Sequence, residues 1–366
     1  MVVAMSFPIR VLRTRERMDE LGVDVLLLSV GPDLPYLTGY DAMPLERLTM
    51  LVLPRLGDAH LVIPRLEAPR VTPRPELFEL RPWDETEDPI ELVARLVGAS
   101  GVAAIGDHTW ARFVLDLELA LPHVRFVRSS TVLAPIRMVK DDDEIAALQA
   151  AAAAVDAIAV EMRARPFVGR SELDIHRELV DRMLAAGHER ANFAIVAAGA
   201  HAASPHHEPA PDRIVADGDI VLCDFGGTMH GYCSDITRMY HAGEPPAEIR
   251  DAYAVLVAAQ EAGVRAATVG TPCADVDAAA RRVIADAGFG DCFVHRVGHG
   301  IGTEAHEDPY MVAGNELPLA PGYAFSVEPG IYVAGRFGMR LEDIVVATTA
   351  GPRRLNDAPR DLAVVG

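Results

Sequence analysis

Residues 218–226, Gly218-Asp-Ile-Val-Leu-Cys-Asp224-Phe-Gly226, line up with residues 322–330, Gly322-Tyr-Ala-Phe-Ser-Val-Glu328-Pro-Gly330. In each, a glycine opens an apolar run, a carboxylate follows six residues later, and a second glycine stands two beyond that. A further strand-like segment with its own carboxylate then follows each: Ser234-Asp235-Ile-Thr237 in one case, Met339-Arg340-Leu-Glu342-Asp343-Ile344 in the other. Unless two hairpins resemble each other by chance, a doubled pattern requires two like halves. Each half then offers two carboxylates to a shared centre.

A carboxylate placed after an apolar run is expensive to bury unless it is paired or bound to a cation. Asp224 ends Ile220-Val-Leu-Cys223, and Glu328 ends Ala324-Phe-Ser-Val327. Asp235 comes eleven residues after Asp224, with Gly226, Gly227 and Gly231 between them. That spacing fits two antiparallel strands joined by a loop, with both carboxylates on one face. Period-two alternation puts Arg340 beside Glu342, where a guanidinium can orient a carboxylate and keep it ionised.

The histidines concentrate in the same half of the chain. His295-Arg-Val-Gly-His299-Gly-Ile-Gly302 holds two of them four residues apart in a glycine-rich loop, where backbone can come close to an ion. His306 follows in Glu304-Ala-His306-Glu-Asp-Pro309, and Ser204-Pro-His206-His207-Glu208-Pro209 holds another pair between prolines. His60, His108, His123, His176, His188, His230 and His241 read as structural or solvent-facing. Four carboxylates and one imidazole suit hard or borderline dications, Mn²⁺ first, with Co²⁺ or Zn²⁺ also admissible. Their charge balances two such ions. A pair of ions about 3.5–4 Å apart lowers the pKa of a shared water, so hydrolysis by metal-bound hydroxide is the expected chemistry.

Residues 1–130 carry no such constellation. Residues 10–21 read as a helix stopped by Gly22, and residues 23–30 as a buried strand ended by Gly31-Pro32. Residues 48–53 and 59–63 read as a hairpin, 89–97 as a helix and 102–105 as another buried strand. This alternation predicts a small α/β domain. Composition then changes. Asp141-Asp142-Asp143-Glu144 suits a helix N-terminus and leads into an alanine-rich run to Met162. A further helix is expected over residues 171–186 with Ser171 as its cap. The boundary is placed near residue 130, which leaves residues 131–366 as a second domain; 366 residues fit two cores.

Bulk properties exclude several functions. A net charge of −19 repels nucleic acid over most of the surface. Cys223, Cys233, Cys273 and Cys292 form no C-x-x-C pair and read as buried free thiols. Residues 1–10 show no basic region followed by an apolar run, so no signal peptide is expected. The apolar stretches are strand-length or interrupted, so no membrane span is expected and a cytoplasmic location fits best. No Gly-x-Ser-x-Gly elbow and no Walker-type Gly-Lys-Ser/Thr string occurs.

The strings Asp224-Phe-Gly, Ser234-Asp235-Ile-Thr-Arg238, Gly298-His299-Gly-Ile-Gly302, Val327-Glu328-Pro-Gly-Ile-Tyr332 and Arg340-Leu-Glu342-Asp343 together resemble the pita-bread metallopeptidases. Within that family they look like the aminopeptidase P and prolidase branch, which cleaves Xaa-Pro bonds. Leu34-Pro-Tyr36-Leu-Thr-Gly39 is similar to a segment of the same branch, so the resemblance covers nearly the whole chain. It implies an α/β N-terminal domain of creatinase/prolidase type. An α+β pita-bread catalytic domain with a pseudo-two-fold repeat would follow. It also implies that Asp224, Asp235, His299, Glu328 and Glu342 hold the metals, with Asp235 and Glu342 shared between both ions. Glu328 would relay a proton, and His206 and His306 would donate to the substrate and to the tetrahedral intermediate. His206 is preferred over His207 because the family's histidine follows a small-residue–Pro pair. His295 and Tyr310 would face the substrate, and Arg340 and Thr237 would support the ligands. A homodimer acting on short peptides with proline second is the implied assembly and substrate.

One position departs from the pattern. Several dipeptide-preferring prolidases carry an arginine after the His-Glu-x-Pro segment, where it pairs with the substrate's terminal carboxylate; here Tyr310 follows Pro309. Dipeptides and longer peptides therefore both stay open. Two other readings compete with a peptidase. One is a creatinase-like C–N hydrolase on the same fold, which does without the full ligand set. The other is a non-enzymatic binding module, which should have ligands replaced.

Overall fold

Apolar runs cut short by glycine and proline build the strands of the N-terminal unit. The structure, a computed structural model, describes residues 7–366. The expectation about a signal peptide concerns Met1–Ser6 in part, and those residues lie outside the described ones. The chain divides into two units, Met1–Arg137 and Met138–Gly366.

In the first unit, α1 (Phe7–Leu21) stops at Gly22, whose positive φ of 65° an L side chain rarely adopts. Then come β1 (Val25–Leu28), α2 (Asp33–Thr38), β2 (Met50–Pro54), β3 (His60–Pro64) and β4 (Glu79–Trp83). They are followed by α3 (Pro89–Val97), β5 (Val102–Ile105), α4 (Ala111–Ala120), β6 (Arg125–Arg128) and α5 (Ser130–Met138). The strands form one mixed sheet in the order β4-β3-β2-β1-β5-β6. Its two faces are covered separately. Met18, Leu34, Leu37, Val132 and Leu133 pack on one, and Val93, Val97, Phe113 and Leu117 on the other. The unit runs past residue 130 because α5 buries Val132 and Leu133 in this core.

The second unit begins with α6 (Asp142–Met162). Asp141 and Glu144 cap it reciprocally, which is why the acidic cluster sits there. α7 (Glu172–Ala185) is capped the same way by Ser171 and Asp174. Among the described residues α6 is a helix long and apolar enough to cross a bilayer, contrary to the reading of interrupted alanine runs. Ala151, Ala152, Val155, Ile158 and Met162 are nonetheless buried within the unit, as in a core helix. There follow β7 (Arg190–Ala198), β8 (Ile220–Met229), β9 (Tyr232–Cys233), β10 (Ile236–Ala242), α8 (Ala247–Ala266) and α9 (Cys273–Ile284). The remaining strands are β11 (Gly298–Gly300), β12 (Glu307–Met311), β13 (Ala324–Val327), β14 (Gly330–Val333), β15 (Phe337–Arg340), β16 (Asp343–Thr348), β17 (Gly351–Arg354) and β18 (Ala363–Val365).

The doubled sequence is a doubled structure. One sheet runs β18-β10-β8-β7 and the other β12-β11-β13-β16-β17, so each half has a central strand, a partner after it and a partner before it. Gly218 and Gly322 share a φ of 88°. Gly218 N–H donates to Ala242 O, and Gly322 N–H to Ala347 O. The return bonds match: Ala242 N–H to Asp219 O, and Ala347 N–H to Tyr323 O. β8 turns at His230-Gly231, both at positive φ as a tight hairpin turn requires.

Alternation along the strands decides which side chains reach the centre. On β8, Val221, Cys223 and Phe225 join the core against α6 and α7, where Leu179 and Met183 are buried. Ile220 and Leu222 join the other core, under α8 and α9 with Phe325, Val327 and Met339. Asp224 shares the side of Leu222. On β10, Thr237 lies directly across from Asp224, and the same parity carries Asp235. All four cysteines are free thiols; three are buried and Cys292 is half-buried.

Candidate metal centre

Five side chains from both halves converge. Asp224 comes from the middle of β8 and Asp235 from just before β10, while His299 is the centre of β11. Glu328 follows β13, and Glu342 sits at the break between β15 and β16. An isolated bridge between Thr237 and Glu342 joins the two sheets at this point. Oxygen or nitrogen atoms of Asp224, Asp235 and Glu342 lie within 4.8 Å of one another, as do those of His299, Glu328 and Glu342. His306 makes a third such group with Asp235 and His299.

Fixed donors orient each group. The Thr237 hydroxyl donates to Glu342 Oε2 at 2.7 Å and accepts from Arg340 Nε at 3.2 Å. Arg340, 2 % exposed, also donates to Asp224, to the Tyr332 hydroxyl at 2.8 Å and to Pro205 O at 3.2 Å. Ser326 Oγ donates to Glu328 Oε1 at 3.0 Å and accepts from the His299 N–H at 3.0 Å. His299 Nδ1 lies 3.1 Å from Gly300 O, which only accepts. The other nitrogen, Nε2, therefore faces the carboxylates, 3.1 Å from Glu328 and 3.8 Å from Asp235.

The electrostatics are those of anions held together against their preference. Burial, then the charges of Glu342, Asp224 and Glu328, push the Asp235 carboxyl well above its ordinary value. Burial and the charges of Glu328 and Asp224 do the same to Glu342. Burial raises Asp224 too, opposed by Arg340. For Glu328 burial acts upward, but His299, His295 and Arg340 outweigh it and hold the carboxyl at about 2. Asp224 Oδ1, Asp235 Oδ1 and Glu342 Oε1 are buried with no hydrogen-bond partner among the described residues. Buried acceptors left open cost stability unless a cation completes them. The donor set, carboxylate oxygens with one imidazole, fits a hard or borderline divalent ion.

The five groups open onto a cavity of about 930 Å³. His206, His295, His306 and Arg340 line it, with Phe193 and Ile195 as an apolar wall. His306 is pushed down to about 4, first by burial and then by His299, so it is neutral at physiological pH. Burial also lowers His295. Its Nδ1 donates to Arg296 O at 2.7 Å, and its Nε2 lies 2.9 Å from the Tyr332 hydroxyl.

One expectation, that Tyr310 faces the substrate, is corrected by the lining of the cavity. Tyr310 does not line the cavity. It pairs with His299 across the β11–β12 ladder, and its ring lies beneath the guanidinium of Arg296, 4.2 Å from the ring centroid. Arg296 itself lines the cavity and has no ion pair or hydrogen bond to its side chain among the described residues. Sequence reading passed over Arg296, although it stands between His295 and His299. It also gave Ser326 and Tyr332 no role, although both lie in the strings quoted for the resemblance or beside them. The alternation Ser326, Glu328 was the available signal.

The chain matches metallopeptidase family M24 over residues 145–349 and the creatinase/prolidase N-terminal domain over residues 10–139. It belongs to that family of metallopeptidases and has their pita-bread fold. It is 44% identical over 351 residues to the probable dipeptidase PepE of Mycobacterium tuberculosis, covering 94% of this chain and 93% of the relative. It is 33% identical to the Xaa-Pro dipeptidase of Lactobacillus helveticus, covering 93% and 95%. The crystal structure of a prolidase from Thermococcus sibiricus superposes with a TM-score of 0.92 at 33% identity, covering 99% of this chain and 100% of that one.

Proposed function

We propose that this metallopeptidase is a dipeptidase that removes the residue preceding a C-terminal proline. Asp224, Asp235, His299, Glu328 and Glu342 would hold two divalent ions, with Mn²⁺ the first candidate. The observation that carries the reading is a set of three buried carboxylate oxygens without partners among the described residues, on side chains that line a cavity large enough for a dipeptide. Bound dications supply a nucleophile at neutral pH by lowering the pKa of water.

The chain's own residues do the rest. Glu328, already ionised, takes up and returns the proton that passes from water to the leaving nitrogen. His206 and His306, in the cavity wall, donate to the carbonyl oxygen where negative charge grows. Arg340 and Thr237 fix the carboxylates so that no reorganisation is needed during reaction. Phe193 and Ile195 form an apolar wall that suits the proline ring. Arg296 is a cavity-lining cation with no carboxylate paired to it among the described residues. It replaces the arginine missing at Tyr310 as the partner of the substrate's terminal carboxylate, and this supports dipeptides over longer peptides. A homodimer, as the family resemblance implies, completes the reading.

The test is direct. The purified protein is assayed with Mn²⁺ or Co²⁺ on Ala-Pro, Ala-Pro-Ala and Ala-Ala. Ala-Pro should be cleaved fastest, chelation should abolish the activity, and added metal should restore it. Ala-Pro left intact in the presence of metal overturns the proposal. Light scattering reads the assembly.

A further inference from the structure

A second cluster of the same residue types sits beside the centre: Glu172, His201 and His207 present ligand-type atoms within 4.8 Å of one another. It differs from the centre in one decisive respect. Glu172, the first residue of α7, is fully buried, and both of its oxygens are occupied. Oε1 accepts from Ala198 N–H at 2.7 Å and lies 3.1 Å from His201 Nδ1. Oε2 accepts from Ala210 N–H at 3.0 Å and from His207 Nε2 at 2.8 Å. A carboxylate with its lone pairs used in this way needs no cation. The open oxygens of Asp224, Asp235 and Glu342 mark the contrast.

All four donors come from residues 198–210, the segment that carries His206. The same segment is pressed from its other side against β15. A Cβ on Gly338 would fall 1.8 Å from Ala202 O, so only glycine permits the approach. Two residues on, Arg340 donates to Pro205 O, immediately before His206. The loop is thus held between one buried anion and the strand that supports Asp224.

We propose that Glu172 is a positioning residue for hydrolysis: it ties down both ends of residues 198–210 through the N–H groups of Ala198 and Ala210, holds His201 and His207 between them, and so sets the imidazole of His206 in the cavity wall. The proposal rests on the reading above that His206 contacts the substrate. A loop is a poor platform for a catalytic donor unless its supporting bonds remove its freedom, since misplacement by about 1 Å costs on the order of a hundredfold in rate.

Four variants test it: His206→Ala, His207→Leu, His207→Gln and Glu172→Gln, each assayed on Ala-Pro with bound metal counted by elemental analysis and folding followed by thermal melting. His207→Leu removes one tether from a half-buried position; His207→Gln keeps a nitrogen donor in nearly the same place. His207→Leu is expected to lower kcat about tenfold or more, with KM and metal content near normal. His207→Gln should recover most of that loss, and Glu172→Gln should lose at least as much as His207→Leu. Normal kcat in His207→Leu alongside an impaired His206→Ala overturns the tether and leaves the function intact. Normal kcat in His206→Ala overturns it by removing the role of His206 itself. An additional metal ion per chain that disappears in His207→Leu overturns it in favour of a metal site.

Discussion

Replacing Arg296 by Leu should convert a dipeptidase into an indifferent exopeptidase. The guanidinium lies 4.2 Å from the Tyr310 ring centroid and has no competing carboxylate among the described residues. A substrate carboxylate would therefore meet an available donor rather than displace an existing partner. A hydrogen bond between charged groups contributes about 1.5–3 kcal/mol, which is roughly tenfold to just over a hundredfold in kcat/KM. The loss should fall on Ala-Pro and spare Ala-Pro-amide, which lacks the terminal charge. Tyr310→Leu should cost less, since a partly exposed cation–π contact contributes about 0.5–1 kcal/mol, or roughly two- to fivefold. Steady-state kinetics on the acid and the amide with wild type and both variants give the comparison. Equal losses on both substrates, or none on either, would refute the assignment of Arg296 to the carboxylate.

Replacing Asp235 or Glu342 by Ala should strip metal from both positions, because each belongs to more than one of the donor groups or is expected to be shared; elemental analysis reads this. His306→Ala should keep near-normal metal while turnover falls on the order of a hundredfold; loss of metal in this variant would contradict its role as a donor to substrate. Chelation should lower the melting temperature and excess Mn²⁺ should restore it, since without a cation Asp235 and Glu342 are both buried against the charges of Asp224 and Glu328.

The sequence made the centre legible because its energetics are local. A carboxylate directly after an apolar run has few stable explanations, and the repeat multiplied the signal at Asp224 and Glu328. The opening glycines of the two halves stand in the same left-handed conformation, so the repeat records a shared backbone turn. What escaped depends on side-chain direction and on distance along the chain. Tyr310 sits beside His299 in register, but its ring lies against Arg296 and outside the cavity lining. No spacing rule reveals that. Likewise the bond from His207 to Glu172 joins residues 35 apart on different elements, and no pattern in the sequence announced it. The boundary at residue 130 missed α5 because a composition change marks the acidic cap of α6 and not the end of the first core.

The two halves are alike in scaffold and unlike in what the strand beside each central strand presents. β11 beside β13 presents the imidazole of His299; β7 beside β8 presents Asn192, Phe193 and Ile195 to the same cavity. On the reading proposed above, the first half would offer the peptide an apolar wall where the second offers an ion its imidazole. Substitutions along β7 can retune which peptides are accepted while leaving the ion-holding groups untouched. The same freedom is denied to β11, where Gly298 and Gly300 have no room even for a methyl group. On the His299 side, diversification of substrate preference is therefore expected at residues 294–296, ahead of the glycine-bounded strand, and not within it.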